Sequence, residues 1–372
     1  MLTNSVYISI ITCLAVYLFY ITNKQCENRK DTLLLLLIFV SHFSMSIFHW
    51  FRIINKAVDI HYFYEIALNS NSWFGLFGIG SRFMAFLIYP LVKIQASYLT
   101  LFLLFSLISL LAYTYLFKLF LNTIKTKIDN VFFLLLLLYP SIHFWTVSFG
   151  KEAILMPLLF YIVYKVKERS FSSITLYLCM LMILLIRPYL FVILLMSFVL
   201  AVFLDKTFNS VFKKKTLMAS VAIFSFSIPV LMWFLKIKSW NDIANNYARV
   251  AVYAANNGSS SINLLESNYF ERLFLTLFRP FFYDVISVFH FFASIENLMF
   301  LVFLIFLIVK IKNIGLFSQS LDVKFAFFTA LLLILFYSIY MYNLGLANRM
   351  KVMFLPYLGY VYFSLTKKRK QY

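Results

Sequence analysis

Between Asp31 and Arg52 the chain runs TLLLLLIFVSHFSMSIFHWF, twenty residues with no formal charge. As a helix this run rises about 30 Å, the thickness of a bilayer's hydrocarbon core. Runs of similar character recur along the chain, and together they set the solvent the fold must satisfy. Across 372 residues, 63% are hydrophobic and 13% charged, with a mean hydropathy of +0.88. A soluble domain is about half apolar and about a quarter charged. The apolar excess has no core large enough to hide in, so it faces lipid. Backbone groups in lipid must find partners within their own segment, which makes the spans helices. The fold class expected is therefore all-α, a polytopic helical membrane bundle forming a single transmembrane domain over 1–372.

The apolar runs predict spans at 5–21, 32–50, 97–120, 131–147, 153–164, 173–186, 188–204, 217–235, 289–309, 325–342 and 352–366, eleven in all. Several are short for the hydrocarbon core. The pairs 131–147 with 153–164, and 173–186 with 188–204, also read as hairpins that dip into the bilayer. The piece Phe83–Leu91 reads as a re-entrant or interfacial helix. The first residues lack the basic start and small-residue cleavage site of a signal peptide, and the first run reads as a retained span.

Charge placement orients the bundle. Alternate loops and the C-terminal tail, from Lys24 to the run Lys367, Lys368, Arg369, Lys370, carry 20 of the 33 basic and 6 of the 14 acidic residues. That side is cytoplasmic by the positive-inside rule. The C-terminus is then inside and the N-terminus outside. A net charge of +19 is one that nucleic-acid binders carry, but topology accounts for the KKK run at 213–215 and for the basic tail. No nucleic-acid partner is expected. Cys13 and Cys179 fall in spans and Cys26 in a cytoplasmic loop, so no disulfide is expected, and no metal-ligand spacing appears. The 46 Phe are as well explained by nucleotide bias as by function, and no cofactor box is read from them.

Two connections stand out as long, both on the outer side: 51–96 and 236–288. The second ends in LFRPFFYDVISVFHFFASIEN, at 277–297, where rings alternate with Arg279, Asp284 and Glu296. The pattern predicts a segment re-entering the membrane with rings at headgroup depth and charges turned to protein or water.

An ionisable side chain at membrane depth costs on the order of 2.5–3.5 kcal/mol and is a functional candidate by default. Arg187, in LLIRPYLF, has no acid near it in sequence and is followed by a helix-breaking proline; a plain interfacial hairpin cap is the alternative. Lys151 and Glu152, in YPSIHFWTVSFGKEAI, read either as a self-neutralising pair at a hairpin tip or as a phosphate-facing amine with an orienting carboxylate. Arg279 repeats the Arg-Pro turn of Arg187. Arg349 and Lys351, in LGLANRMKVMF, make a third cationic corner; an interfacial anchor is the plain alternative for Arg349 and Arg279. Guanidinium groups match phosphate oxygens bidentately, and a pyrophosphate without a metal needs several such donors. Asp59 and Glu65, in DIHYFYEIAL, offer a general base toward a sugar hydroxyl or are ordinary loop carboxylates. His61 and His290 read as buried hydrogen-bonders.

Several of these stretches, taken in order, resemble bacterial enzymes of surface-polysaccharide assembly. Asp59, Tyr62 and Ala67, followed by SRF…YP at 81–90, are similar to the acidic first-loop signature of GT-C-type glycosyltransferases. YPSIHFWTVSFGKE (139–152), FRPF with its following acid, ASIEN, and NRMK…P before the last span have the same character. Span number, one large late outer loop and scattered outer arginines resemble O-antigen (oligosaccharide repeat unit) polymerases. The resemblance implies transfer of a glycan from undecaprenyl pyrophosphate to another lipid-linked repeat unit at the periplasmic face of the bacterial inner membrane. It implies Arg187, Arg279 and Arg349 as pyrophosphate ligands, helped by Lys151 and Arg82, with Asp59 as first and Glu152 as second choice of base. The partners implied are the lipid-linked oligosaccharide, the bilayer and a chain-length regulator. No cofactor is expected. A GT-C transferase using a polyprenyl-phosphate sugar is the nearest alternative, and only there would a divalent metal join Asp59. A flippase for the lipid-linked unit is the alternative from another class.

Overall fold

A computed structural model describes residues 2–54, 59–121, 127–234, 267–341 and 343–365, with scattered positions between 238 and 252. The tail 366–372, Lys125 and the stretch 253–266 of the 236–288 connection lie outside the described residues. The chain divides into two compact units, Met1–Phe191 and Val192–Tyr372.

The first unit holds α1 (Leu2–Asn23), α2 (Arg29–Ile53), α3 (Asp59–Asn69), α4 (Ser81–Lys93), α5 (Tyr98–Leu121), α6 (Lys127–Leu137), α7 (Pro140–Thr146), α8 (Lys151–Lys167) and α9 (Ile174–Ile186). The helix α10 (Pro188–Leu204) starts in this unit and continues into the second. The second unit then adds α11 (Ser210–Phe234), α12 (Tyr269–Phe278), α13 (Val288–Ile314), α14 (Leu321–Tyr340) and α15 (Leu344–Ser364). No strand occurs among the described residues.

Among the described residues, six stretches of helix are long and apolar enough to cross a membrane: Asn4–Asn23, Arg29–Ile53, Tyr98–Lys118, Ile128–Thr146, Val288–Ile314 and Leu321–Ile339. Each coincides with one of the expected spans. Ile174–Ile186 and Pro188–Leu204 are apolar but shorter. The expected span 153–164 lies on α8, the described parts of 217–235 and 352–366 follow α11 and α15 to their ends at Phe234 and Ser364, and Phe83–Leu91 lies within α4.

Local chemistry explains where helices begin and break. Asn28 caps α2 by accepting from the Asp31 N–H at 3.0 Å, and Asn343 caps α15 by accepting from Gly345 N–H at 2.8 Å. A residue before proline is pushed out of the helical region. Tyr139 is extended before Pro140, which divides the apolar run 128–146 into α6 and α7. Arg187 leaves the helical region before Pro188, which separates α9 from α10 by a single residue.

Side-chain faces identify lipid as the solvent. On α1, Val6, Ile10, Leu14 and Tyr17 form an exposed stripe, while Ile11, Ala15, Leu18 and Thr22 turn inward. On α13 the usual pattern is reversed. Ser294, Glu296 and Asn297 are buried, whereas Phe291, Phe292, Val302, Ile305 and Ile308 are exposed. Polar groups inside and oil outside is the arrangement expected of a helix solvated by hydrocarbon. In water so continuous an apolar surface would drive association.

Within the first unit α5 is the hub, packed by α1, α2 and α8, with α7 beside α2 and α4 against α3. Within the second unit α15 is the core: every residue from Met350 to Phe363 is buried. It packs against α14, α12 and α13. At one end of this unit Asp205 accepts from Lys324 Nζ at 3.2 Å and from the Thr207 N–H at 2.9 Å. Burial pushes the Asp205 carboxyl up, but the Thr207 and Lys324 hydrogen bonds outweigh it and hold it below its ordinary value.

Candidate functional site

In the first unit, three chain breaks meet. Gly80 occupies the left-handed region at φ +68°, which a glycine adopts without strain, and there it caps α4. Its N–H donates to Leu185 O at 2.8 Å, tying the start of α4 to the end of α9. Gly150 caps α8, and neither glycine contributes a side-chain cap. Lys151 and Glu152 are the first residues of α8. A Cβ built on Gly80 would lie 3.7 Å from Lys151 Nζ, so the ammonium sits against the α4 N-terminus. Arg187, at the α9–α10 break, donates to the Glu152 carboxylate and to Tyr189 Oη at 3.0 Å.

This differs from the expectation at two points. Arg187 does have an acid, supplied from 35 residues earlier in the chain. Glu152 and Lys151 are adjacent, yet on a helix neighbours in sequence point apart. Glu152 turns inward, 1% exposed, to Arg187. Lys151 stays half-buried, with its ammonium 5.9 Å from the Phe63 ring centre. Asp59 lies one turn before Phe63 on α3, on the same helical face, and is exposed. Arg82 is exposed, its guanidinium donating to Gly75 O at 2.7 Å. Lys151, Glu152 and Arg187 thus form one cluster around Gly80, with Arg82 one residue past the α4 start and Asp59 at the start of the helix that carries Phe63.

The buried Arg187–Glu152 pair is neutral as a unit, and the Lys151 ammonium lies beside two helix N-termini. Each helix N-terminus presents unfilled N–H groups and about half a positive charge. Such a place suits an anion, phosphate included. The carboxylate of Glu152 faces a guanidinium, which fits an orienting role better than proton abstraction.

In the second unit, Arg279 closes on Asp284 through two N–H donors, Nε at 2.9 Å and Nη2, while the Phe281 N–H also donates to Asp284, at 2.7 Å. Burial pushes the Asp284 carboxyl up, but Arg279 and the Phe281 N–H prevail and hold it below its ordinary value. The hydrogen bond to Asp284 in turn raises the Arg279 guanidinium above its ordinary value. The turn bearing them is pinned to the core: Asn297 donates to Pro280 O at 2.6 Å and accepts from Lys351 Nζ. Lys351 is 1% exposed, on α15, so it is an internal strut and no part of an outward cationic corner. Arg349, two residues earlier, is half-buried. The rings of the 277–297 stretch point out, with Tyr283 70% and Phe292 56% exposed, while Glu296 and Asn297 are buried.

A third polar cluster was not anticipated from sequence. His42 on α2 and His143 on α7 are both buried, with their Nδ1 atoms 2.8 Å apart. His42 Nε2 is 2.7 Å from Ser109 Oγ and 3.2 Å from Ser106 O, both on α5. His143 Nε2 is 2.7 Å from Leu137 O. Tyr113 stacks on His143 with ring centres 4.5 Å apart. The available signal was the spacing His42, Ser46, His49, which puts three polar side chains on one face of an otherwise uncharged run. All three are buried.

Compared with family models, with curated proteins and with solved structures, the chain finds no match. Among the described residues no group of His, Cys, Asp and Glu is arranged to hold a metal ion.

Proposed function

We propose that this chain is a membrane glycosyltransferase that polymerises lipid-linked oligosaccharide repeat units at the outer face of a bacterial inner membrane. The observation that carries this reading is the meeting of Lys151, the Glu152–Arg187 pair and the glycine-capped starts of α4 and α8. An anionic lipid headgroup is the ligand such a corner suits in a protein solvated by lipid. The hydrogen bond from Gly80 to Leu185 supports the proposed eleven-span topology, because it joins the first long connection to the Arg187 turn, two places that topology puts at the same outer end. The C-terminus is then cytoplasmic.

In this reading the donor's pyrophosphate lies at the Lys151 corner. The acceptor hydroxyl forms the new bond to the donor's anomeric carbon. The bond to the pyrophosphate oxygen breaks and its electron pair leaves on the phosphate. Lys151 and the helix N-termini stabilise that growing charge where it develops. Asp59, one turn from the Phe63 ring beside Lys151, receives the proton. Arg187 is held in place by Glu152. Arg82 extends the cationic rim of this corner, and Arg279 and Arg349, in the second unit, stay proposed phosphate ligands in their own right. The chain-length regulator stays a proposed partner.

The test is deletion of the gene followed by a glycan-ladder gel, then complementation with Lys151→Ala and Arg187→Lys at matched membrane abundance. Collapse of the ladder to a single capped repeat unit, unrescued by Lys151→Ala, supports the polymerase. A ladder of normal length lacking one side sugar supports the polyprenyl-phosphate transferase instead. A normal ladder in the deletion strain sinks both.

A further inference from the structure

The hydrogen-bond inventory of the His42–His143 pair closes in two ways, set by where the Ser109 hydroxyl donates. His143 Nε2 faces Leu137 O at 2.7 Å, and a carbonyl only accepts, so this nitrogen carries hydrogen. The 2.8 Å contact between the two Nδ1 atoms needs one hydrogen between them. His42 Nε2 faces Ser106 O at 3.2 Å, again an acceptor, and Ser109 Oγ at 2.7 Å. Ser109 Oγ is itself 3.0 Å from Ser106 O, placed to donate there. With Ser109 donating to Ser106, His42 Nε2 must also carry hydrogen. With Ser109 donating instead to His42 Nε2, two neutral imidazoles satisfy the Ser109, Nδ1–Nδ1 and Leu137 contacts, so the geometry accommodates either two or three ring protons.

We propose that the His42–His143 pair is a proton-binding site in the interior of the first unit, storing one excess proton shared across the Nδ1–Nδ1 contact. The proposal stands apart from the glycosyltransferase reading. In the charged state, Ser106 O and Ser109 Oγ take the His42 Nε2 hydrogen and Leu137 O takes that of His143, so every ring N–H is matched. Sharing the third proton spreads its charge over two rings, and an N–H···N distance of 2.8 Å falls in the range of charge-assisted bonds. Loss of that proton makes the Ser109 hydroxyl rotate from Ser106 O to His42 Nε2. The proton is thereby coupled to a rotor at the α2–α5 contact.

The surroundings are consistent with a titrating site. On α5, Tyr113 stacks on His143 and its hydroxyl lies 3.4 Å from Thr146 Oγ1 of α7. On α2, His49 faces Phe144 O at 2.7 Å, and Arg52 sits 5.3 Å from the Phe144 ring centre. The described contacts of the two rings include no carboxylate, and α1 and α8 add no described contact to either ring. Ser46, buried with no hydrogen-bond partner, lies one turn along α2 from His42. Ionisable groups inside membrane bundles commonly mark proton sites.

The experiment is nitrogen-15 NMR of the full chain in lipid nanodiscs with ring-labelled histidine, titrated between about pH 4.5 and about pH 8.5. His42→Gln and His143→Gln assign the signals. The expected result is uptake of one proton per chain by the pair, with its nitrogens moving from one donor and one acceptor per ring to three donors in all. Ser109→Ala keeps both rings, leaves Ser106 O to accept from the charged pair and removes the donor that the neutral His42 Nε2 uses, and should shift the midpoint to higher pH. A pair that keeps two protons across the range in folded protein, or a midpoint that Ser109→Ala leaves in place, overturns the proposal.

Discussion

Arg187 donates to the carboxylate of Glu152 across the junction of α8 with the α9–α10 break, and both side chains are buried. Breaking such a pair by removing one partner leaves the other charge uncompensated, at a cost of about 3–5 kcal/mol. Arg187→Ala should therefore lower the thermal midpoint of the detergent-purified chain sharply. The double variant Arg187→Met with Glu152→Leu should recover most of the loss, because the desolvation cost leaves with both charges. Equal destabilisation of single and double variants would refute the buried pair.

Lys151 makes a contrasting case. It is half-buried and its ammonium lies by Phe63 and the α4 start. Lys151→Met keeps the aliphatic stem and should change stability by no more than about 1 kcal/mol. Under the proposed function the same variant loses polymer length on the glycan ladder. Thermal unfolding and the ladder, read on one membrane preparation, separate the two effects.

Gly80 is sensitive for a backbone reason. At φ +68° an alanine is strained by about 1–2 kcal/mol, although its Cβ would meet Lys151 Nζ only at an ordinary 3.7 Å. Gly80→Ala should destabilise by that amount. A control at Gly78, where φ is not positive but a Cβ would meet Arg82 Cβ at 3.2 Å, tests crowding instead. If Gly80→Ala unfolds at the temperature of the parent chain, the strained cap is not present.

The Arg279–Asp284 clasp carries a pH signature. Asp284 is held below its ordinary value of 3.8, so the folded state binds its proton less readily than the unfolded state. Its contribution to stability is complete above that ordinary value and is lost as pH falls through the lower folded value. Asp284→Asn should flatten the acid limb of a stability profile below about pH 4 and leave the neutral region parallel to the parent. An unchanged acid limb would exclude the clasp as a source of acid sensitivity.

Asn297 bridges Pro280 O and the buried Lys351 ammonium. Asn297→Leu leaves both groups without that partner and should cost about 1–3 kcal/mol for each, read by thermal unfolding. Adding Lys351→Met removes one of the stranded groups and should restore part of the loss.

Periodicity and charge made the spans legible. The uncharged run 32–51 and the runs at 97–120, 289–309 and 325–342 all became helices because each is long enough and lacks any alternative way to satisfy its backbone. The breaks at Pro140 and Pro188 were equally local. Charges are harder to read. Glu152 finds Arg187 across 35 residues, Lys351 finds Asn297 across 54, and His42 finds His143 across 101. No local pattern encodes which of two adjacent charges, Lys151 or Glu152, turns inward.

By itself, the sequence determined the solvent of this protein and the helical answer to it, because apolar content and unbroken apolar length act residue by residue. Tertiary structure alone decided which ionisable groups pair and which polar side chains meet in the interior. Those outcomes depend on contacts a few ångströms long between distant parts of the chain, and an unpaired charge in a low-dielectric interior costs too much for them to be left unresolved.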